Sequence, residues 1–158
     1  MKNILKRAAL LIAAVFFVAF SAGAESTSID HLYSYTLDNG LSVFVAENHS
    51  APLVYIEVAV RAGSIAQTPE NAGLFHFYEH LMFKGNSKYR NSQAFQRGLK
   101  DMGVTDSNGM TSIDRVNYFI TVPVDQFEKG LEFWSCAIRE PLMDPKEFEE
   151  EKKVVISE

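Results

Sequence analysis

The chain has 158 residues, 47% of them hydrophobic, with 15 basic and 20 acidic residues and a formal net charge of −5. That is enough apolar material for one buried core, and the acidic balance without a basic patch excludes nucleic acid as an expected partner. The single cysteine, Cys136, excludes an internal disulfide; within the apolar stretch Phe133-Trp134-Ser135-Cys136-Ala137-Ile138 it is expected to be a buried core residue.

The first residues read as a targeting signal. Lys2, Lys6 and Arg7 form a basic start, 8–20 an apolar run, and Ala22-Gly23-Ala24 a small-residue cleavage site. The run, about 13 residues, is short for a membrane span. Residues 1–24 are therefore expected to be a signal peptide lost on export, leaving a periplasmic or secreted protein with no stable membrane span. The remainder, 25–158, contains no internal repeat or linker and reads as at most one domain.

The segment Tyr35-Thr36-Leu37-Asp38-Asn39-Gly40-Leu41-Ser42-Val43-Phe44-Val45 predicts a strand, an Asn-Gly hairpin turn and a second strand. A longer strand is predicted over 53–61, where Val54, Ile56, Val58 and Val60 alternate with Tyr55, Glu57 and Ala59. A helix over 72–83 ends at Gly85, and a second runs from an Asn91 or Ser92 cap to Gly103. Asn108-Gly109, followed by the alternating Val116, Tyr118, Ile120 and Val122, predicts another hairpin or edge strand. Asp125 with Glu128 makes a capping pattern for a helix reaching Glu140, where Pro141 stops it. Asp144-Pro145-Lys146-Glu147 opens a last helix with a cap and a proline in the first turn. The sum is an α+β fold, an antiparallel sheet with helices packed on one face.

The helix over 72–83 carries His76-Phe77-Tyr78-Glu79-His80. At about 100° per residue the two histidines lie roughly 40° apart, so their rings can converge on one ion, and Glu79 lies roughly 60° from His76 at the edge of that face. Hydrolysis by a metal ion asks for this division: neutral histidines hold Zn²⁺, the ion lowers the pKa of its water, and a nearby carboxylate takes the proton. The pentapeptide alone also fits structural histidines. Leu74, Phe77, Tyr78, Leu81 and Met82 are expected to fill the core-facing stripe, which leaves the histidines facing a cleft.

A catalytic zinc needs a third protein ligand. The last helix carries Glu147, Glu149, Glu150, Glu151 and Glu158, most of which a solvated acidic face explains. Glu151 and Glu158 stand seven residues apart and within roughly 20° of one face, so spacing allows either. A structural zinc site is usually closed by four ligands, often cysteines, and Cys136 alone does not supply that.

Gly73-Leu74-Phe75-His76-Phe77-Tyr78-Glu79-His80-Leu81-Met82-Phe83-Lys84-Gly85 resembles the signature of the pitrilysin/insulinase family of zinc peptidases, whose motif inverts His-Glu-x-x-His. Leu37-Asp38-Asn39-Gly40-Leu41 is similar to the family's opening hairpin and Val60-Arg61-Ala62-Gly63-Ser64 to the end of its second strand. The segment from Asn108 to Tyr118 resembles the family's Asn-Ala-x-Thr-Ser segment, and Glu151 to Glu158 its distal acidic motif. The resemblance implies that His76, His80 and Glu158 bind one Zn²⁺, that Glu79 is the general base, and that Glu151 orients the site from behind the ligands. It further implies that Asn108 and Gly109 lie on an edge strand to which a peptide substrate adds as a strand. Gly109 stands where the family usually has alanine and is expected to loosen that strand. Family members are much longer, so the chain reads as the N-terminal, truncated part of a zinc endopeptidase acting on peptides or small unfolded proteins, completed by a missing second half or a companion chain. The competing expectation is a non-catalytic module of the same fold serving as partner or scaffold.

Overall fold

The alternating segments of the sequence fold as antiparallel strands in a computed structural model that describes residues 31–158. The expected signal peptide, 1–24, lies outside the described residues. The chain divides into two compact units between His49 and Ser50.

In the first unit, β1 (Leu32–Thr36) pairs with β2 (Ser42–Ala46), Tyr35 opposite Val43. The connection differs from the expected two-residue turn. Leu37 N–H donates to Leu41 O at 2.9 Å, Gly40 N–H donates to Leu37 O at 2.8 Å, and Gly40 has φ 86°. This is the three-residue loop in which a glycine in the left-handed region follows an ordinary turn. Asn39 Oδ1 accepts from Leu41 N–H and closes it.

The second unit is built on a three-stranded sheet of order β3-β5-β4, with β3 Leu53–Val60, β4 Asp106–Thr111 and β5 Val116–Pro123. Four helices follow the predicted order: α1 Leu74–Met82, α2 Ser92–Asp101, α3 Phe127–Arg139 and α4 Pro145–Ser157. Together they make an α+β fold. The β-branched strand β5 takes the centre, and β4, rich in small polar residues, takes the edge. The alternating Val116, Tyr118, Ile120 and Val122 are all buried. They share a core with Phe95 of α2 and with Phe133 and Trp134 of α3. Ring centroids 4.6 Å apart for Phe95–Phe133 and 5.6 Å for Tyr118–Trp134 are ordinary aromatic packing distances.

Helix starts follow the sequence at two of three predicted caps. Asn91 Oδ1 accepts from Ala94 N–H, and Asp144 Oδ1 from the N–H groups of Lys146 and Glu147. Asp125 does not cap α3. Residues Val124–Gln126 form a 3₁₀ turn, which puts Asp125 inside a turn and leaves Gln126 before the helix with no side-chain cap. Cys136 is only partly buried: Phe133, Trp134 and Ala137 take the core-facing stripe of α3, and the thiol flanks it.

The segment that joins α1 to the rest sets the direction of α4. Leu142 N–H donates to Gly85 O at 3.0 Å and Ser87 N–H to Glu140 O at 3.1 Å, with an antiparallel bridge between Asn86 and Pro141. Asn86 is fully buried, and its Oδ1 accepts from Lys88 and Tyr89 N–H. Helix α4 therefore starts beside the end of α1 and runs back along it. Among the described residues, no helix is long and apolar enough to cross a membrane.

Gly85 has φ 130°, and a Cβ there would lie 2.6 Å from Tyr89 O and 2.9 Å from Asn91 N. Gly85→Ala combines a backbone conformation closed to L-residues with a clash against main chain, and is expected to cost about 2–4 kcal/mol. The denaturant midpoint should fall accordingly at unchanged slope; a midpoint within experimental error of wild type would refute the assignment of this junction.

Candidate metal centre

Helix α1 presents its histidines as the spacing requires. Its buried residues are Phe77, Leu81 and Met82, while His76, Glu79 and His80 are half-buried on another side. Leu74 and Tyr78, expected on the core-facing stripe, are instead exposed. A nine-residue helix offers the core only a narrow face, and Phe77, Leu81 and Met82 fill it.

Because α4 runs back along α1, its carboxylates meet the histidines in reverse order. Lys84 lies 4.0 Å from Glu147, His80 Nδ1 3.0 Å from Glu151 Oε1, and His76 Nε2 3.2 Å from Glu158 Oε2. The edge-to-face pair of Phe77 and Phe148, centroids 4.7 Å apart, packs the same two helices.

His76 Nε2, His80 Nε2 and Glu158 Oε2 form the one group of three or more potential ligands found among the described residues. Their separations are 3.1 Å between the two nitrogens, and 3.2 and 3.6 Å from the carboxylate oxygen to His76 and His80. An ion bonded at about 2.0–2.2 Å to three atoms in tetrahedral arrangement holds them about 3.3–3.6 Å apart. Protonation chemistry points the same way. Glu151 accepts at His80 Nδ1, which assigns the ring proton there and leaves Nε2 with a lone pair. That lone pair faces a second imidazole nitrogen and a carboxylate, a cluster of acceptors that a cation satisfies. The residues present fit a divalent ion with one position left open.

Glu151 is the buried residue of α4. Burial alone would raise its carboxyl pKa. Hydrogen bonds from Lys84 and His80, with the Lys84 charge, outweigh it and hold the pKa below the ordinary carboxylate value. Lys84 Nζ sits in close contact with Glu151 Oε2, so one carboxylate bridges a cation and the ring of His80. Sequence reasoning did not single out Lys84, which lies two residues past the end of α1, where helical spacing no longer applies.

The remaining expected residues lie on β4. Asn108 is exposed, and its Oδ1 accepts from Gly109 N–H at 2.9 Å. β4 runs through Gly109 in register with Tyr118. Thr111, to which the sequence reading gave no role, donates its hydroxyl to Glu79 Oε2 at 2.6 Å.

Residues 42–158 match the family model described as Insulinase (Peptidase family M16). The chain is 30% identical over 135 residues to an insulin-degrading enzyme homolog of Dictyostelium discoideum, covering 85% of this chain and 14% of that protein. It is 29% identical over 160 residues to the zinc protease PqqE of Helicobacter pylori, covering 100% of this chain and 36% of that one. The crystal structure of a protease from Helicobacter pylori superposes with a TM-score of 0.71 at 29% identity, over 78% of this chain and 29% of that chain. The chain thus spans well under half the length of these relatives.

Glu151→Gln should weaken zinc binding about 10- to 100-fold by releasing the His80 ring, while His76→Ala and His80→Ala abolish stoichiometric binding. Competition against a chromogenic zinc chelator measures both; wild-type affinity in Glu151→Gln would show that the carboxylate does not serve the metal.

Proposed function

The chain belongs to the insulinase family, peptidase family M16, and from that premise we propose that it forms the zinc-binding part of an exported endopeptidase that hydrolyses peptides or small unfolded proteins. The convergence of His76 Nε2, His80 Nε2 and Glu158 Oε2 within 4.8 Å of one another carries this reading. These three residues hold the ion. Zn²⁺, when bound there, supplies a Lewis acid that acidifies water and polarises a peptide carbonyl.

The chain's own residues do the rest. Glu79 is the base. Its Oε2 accepts from Thr111, and its Oε1 takes the proton of the attacking water and returns it to the leaving amine nitrogen. Glu151 holds His80 through Nδ1 and is itself held ionised by Lys84. The edge of β4 at Asn108 and Gly109 receives the peptide as an added strand, through main-chain hydrogen bonds that read shape rather than side chains.

Export rests on the order of Lys2, Lys6 and Arg7, the apolar run 8–20 and Ala22-Gly23-Ala24. On that reading residues 25–158 open a peptidase domain, and the activity is that of the whole enzyme, with a second half or companion chain closing over the substrate. A non-catalytic module is the weaker reading, because base and histidines are all present and grouped.

Glu79→Gln in the full-length, zinc-loaded enzyme is expected to keep one zinc per site and to lose about 10²- to 10⁴-fold in kcat on an internally quenched peptide. Turnover near the wild-type rate would remove Glu79 from the role of base.

A further inference from the structure

We propose that β4, besides offering an edge to substrate, sets the rotamer of Glu79, with Thr111 as a positioning residue for the base. The inference rests on the proposed role of Glu79. A glutamate on a helix surface has three rotatable bonds and occupies many rotamers, most of which point its carboxylate away from any single reacting atom. Something outside the helix must select one, and β4 supplies the means.

Burial alternates along β4, with Ser107, Gly109 and Thr111 the more buried set and Asp106, Asn108 and Met110 exposed. The buried set faces α1. At Gly109 the backbone comes so close that a Cβ would lie 3.1 Å from Glu79 Cγ and 3.0 Å from Phe83 Cε2. Two residues further along the same face, the Thr111 hydroxyl meets Glu79 Oε2 at 2.6 Å. That length is typical of a hydroxyl donating to an ionised carboxylate. The head of the glutamate is therefore held by Thr111, while its stem passes beside Gly109, where any added Cβ would crowd it. The hydroxyl contact singles out one direction for the carboxylate. Thr111 is anchored in turn, in register with Val116 of the central strand.

The arrangement couples two functions of the strand. The opposite edge of β4 takes the peptide, and pairing there stiffens the same backbone that carries Thr111, so the base is aimed as the substrate is seated.

The test uses full-length, zinc-loaded enzyme in three forms: wild type, Thr111→Val, which keeps shape and branching but has no hydroxyl, and Thr111→Ser, which keeps the hydroxyl. Thr111→Val should lower kcat about tenfold on an internally quenched peptide with KM within about twofold, and Thr111→Ser should recover most of it. Zinc content and melting temperature should match wild type in both, and the crystal structure of Thr111→Val should show the Glu79 carboxylate moved off β4. Wild-type kcat with an unmoved carboxylate in Thr111→Val, or Thr111→Ser as impaired as Thr111→Val, overturns the proposal. Failure of the base assignment is told apart by Glu79→Gln: if that variant turns over normally, the base reading falls, while the Glu79 position in Thr111→Val still decides whether Thr111 holds it.

Discussion

The site depends on one buried carboxylate. Glu151 is 8% exposed on a helix whose other residues face solvent in whole or part, and burying a charge is costly unless it is paired and hydrogen-bonded. Lys84 and His80 supply both, one on each oxygen. The pairing locks α4 against α1 at a fixed rotation. Once that rotation is set, Glu158, two turns on, can only emerge over the histidines. The helix junction at Gly85 and Leu142 fixes where α4 begins, and Glu151 fixes which way it faces.

Much of this was legible because it is local. His76 and His80 are one turn apart, Glu151 and Glu158 two turns, and a periodicity of 3.6 places each pair without knowledge of the fold. Asn91 and Asp144 cap their helices through bonds spanning two or three residues, which sequence also displays. What escaped was tertiary. Thr111 lies 32 residues from Glu79 and bears on it only because β4 packs on α1; no spacing rule reaches that far. Lys84 escaped too, because it lies past the end of α1 and its value follows from Glu151 being opposite.

Three local expectations failed for local reasons. Asn39-Gly40 suits either of two loops, and the bond from Leu37 N–H to Leu41 O selects the longer. Asp125 and Glu128 have the spacing of a capping pair, yet Val124–Gln126 winds as a 3₁₀ turn, so the helix starts too late for Asp125 to cap it. Periodicity put Leu74 and Tyr78 on the buried stripe of α1, but that helix meets its neighbours over a narrower face than a regular amphipathic pattern assumes.

The composition of β4 carries a further consequence. An open sheet edge is a template for any extended chain, including another copy of the same protein, and soluble proteins commonly blunt such edges by covering or charging them. On the proposed function, β4 receives a peptide and so cannot be covered. Its residues, Asp106-Ser107-Asn108-Gly109-Met110-Thr111, are mostly poor strand formers, with an acidic group at one end and no run of β-branched side chains. Two such edges have little to gain by pairing with each other, whereas a more apolar, strand-forming segment of an unfolded chain brings the missing propensity with it. On that reading, weak intrinsic β preference at this edge acts as a filter against self-association while leaving the edge open to peptides.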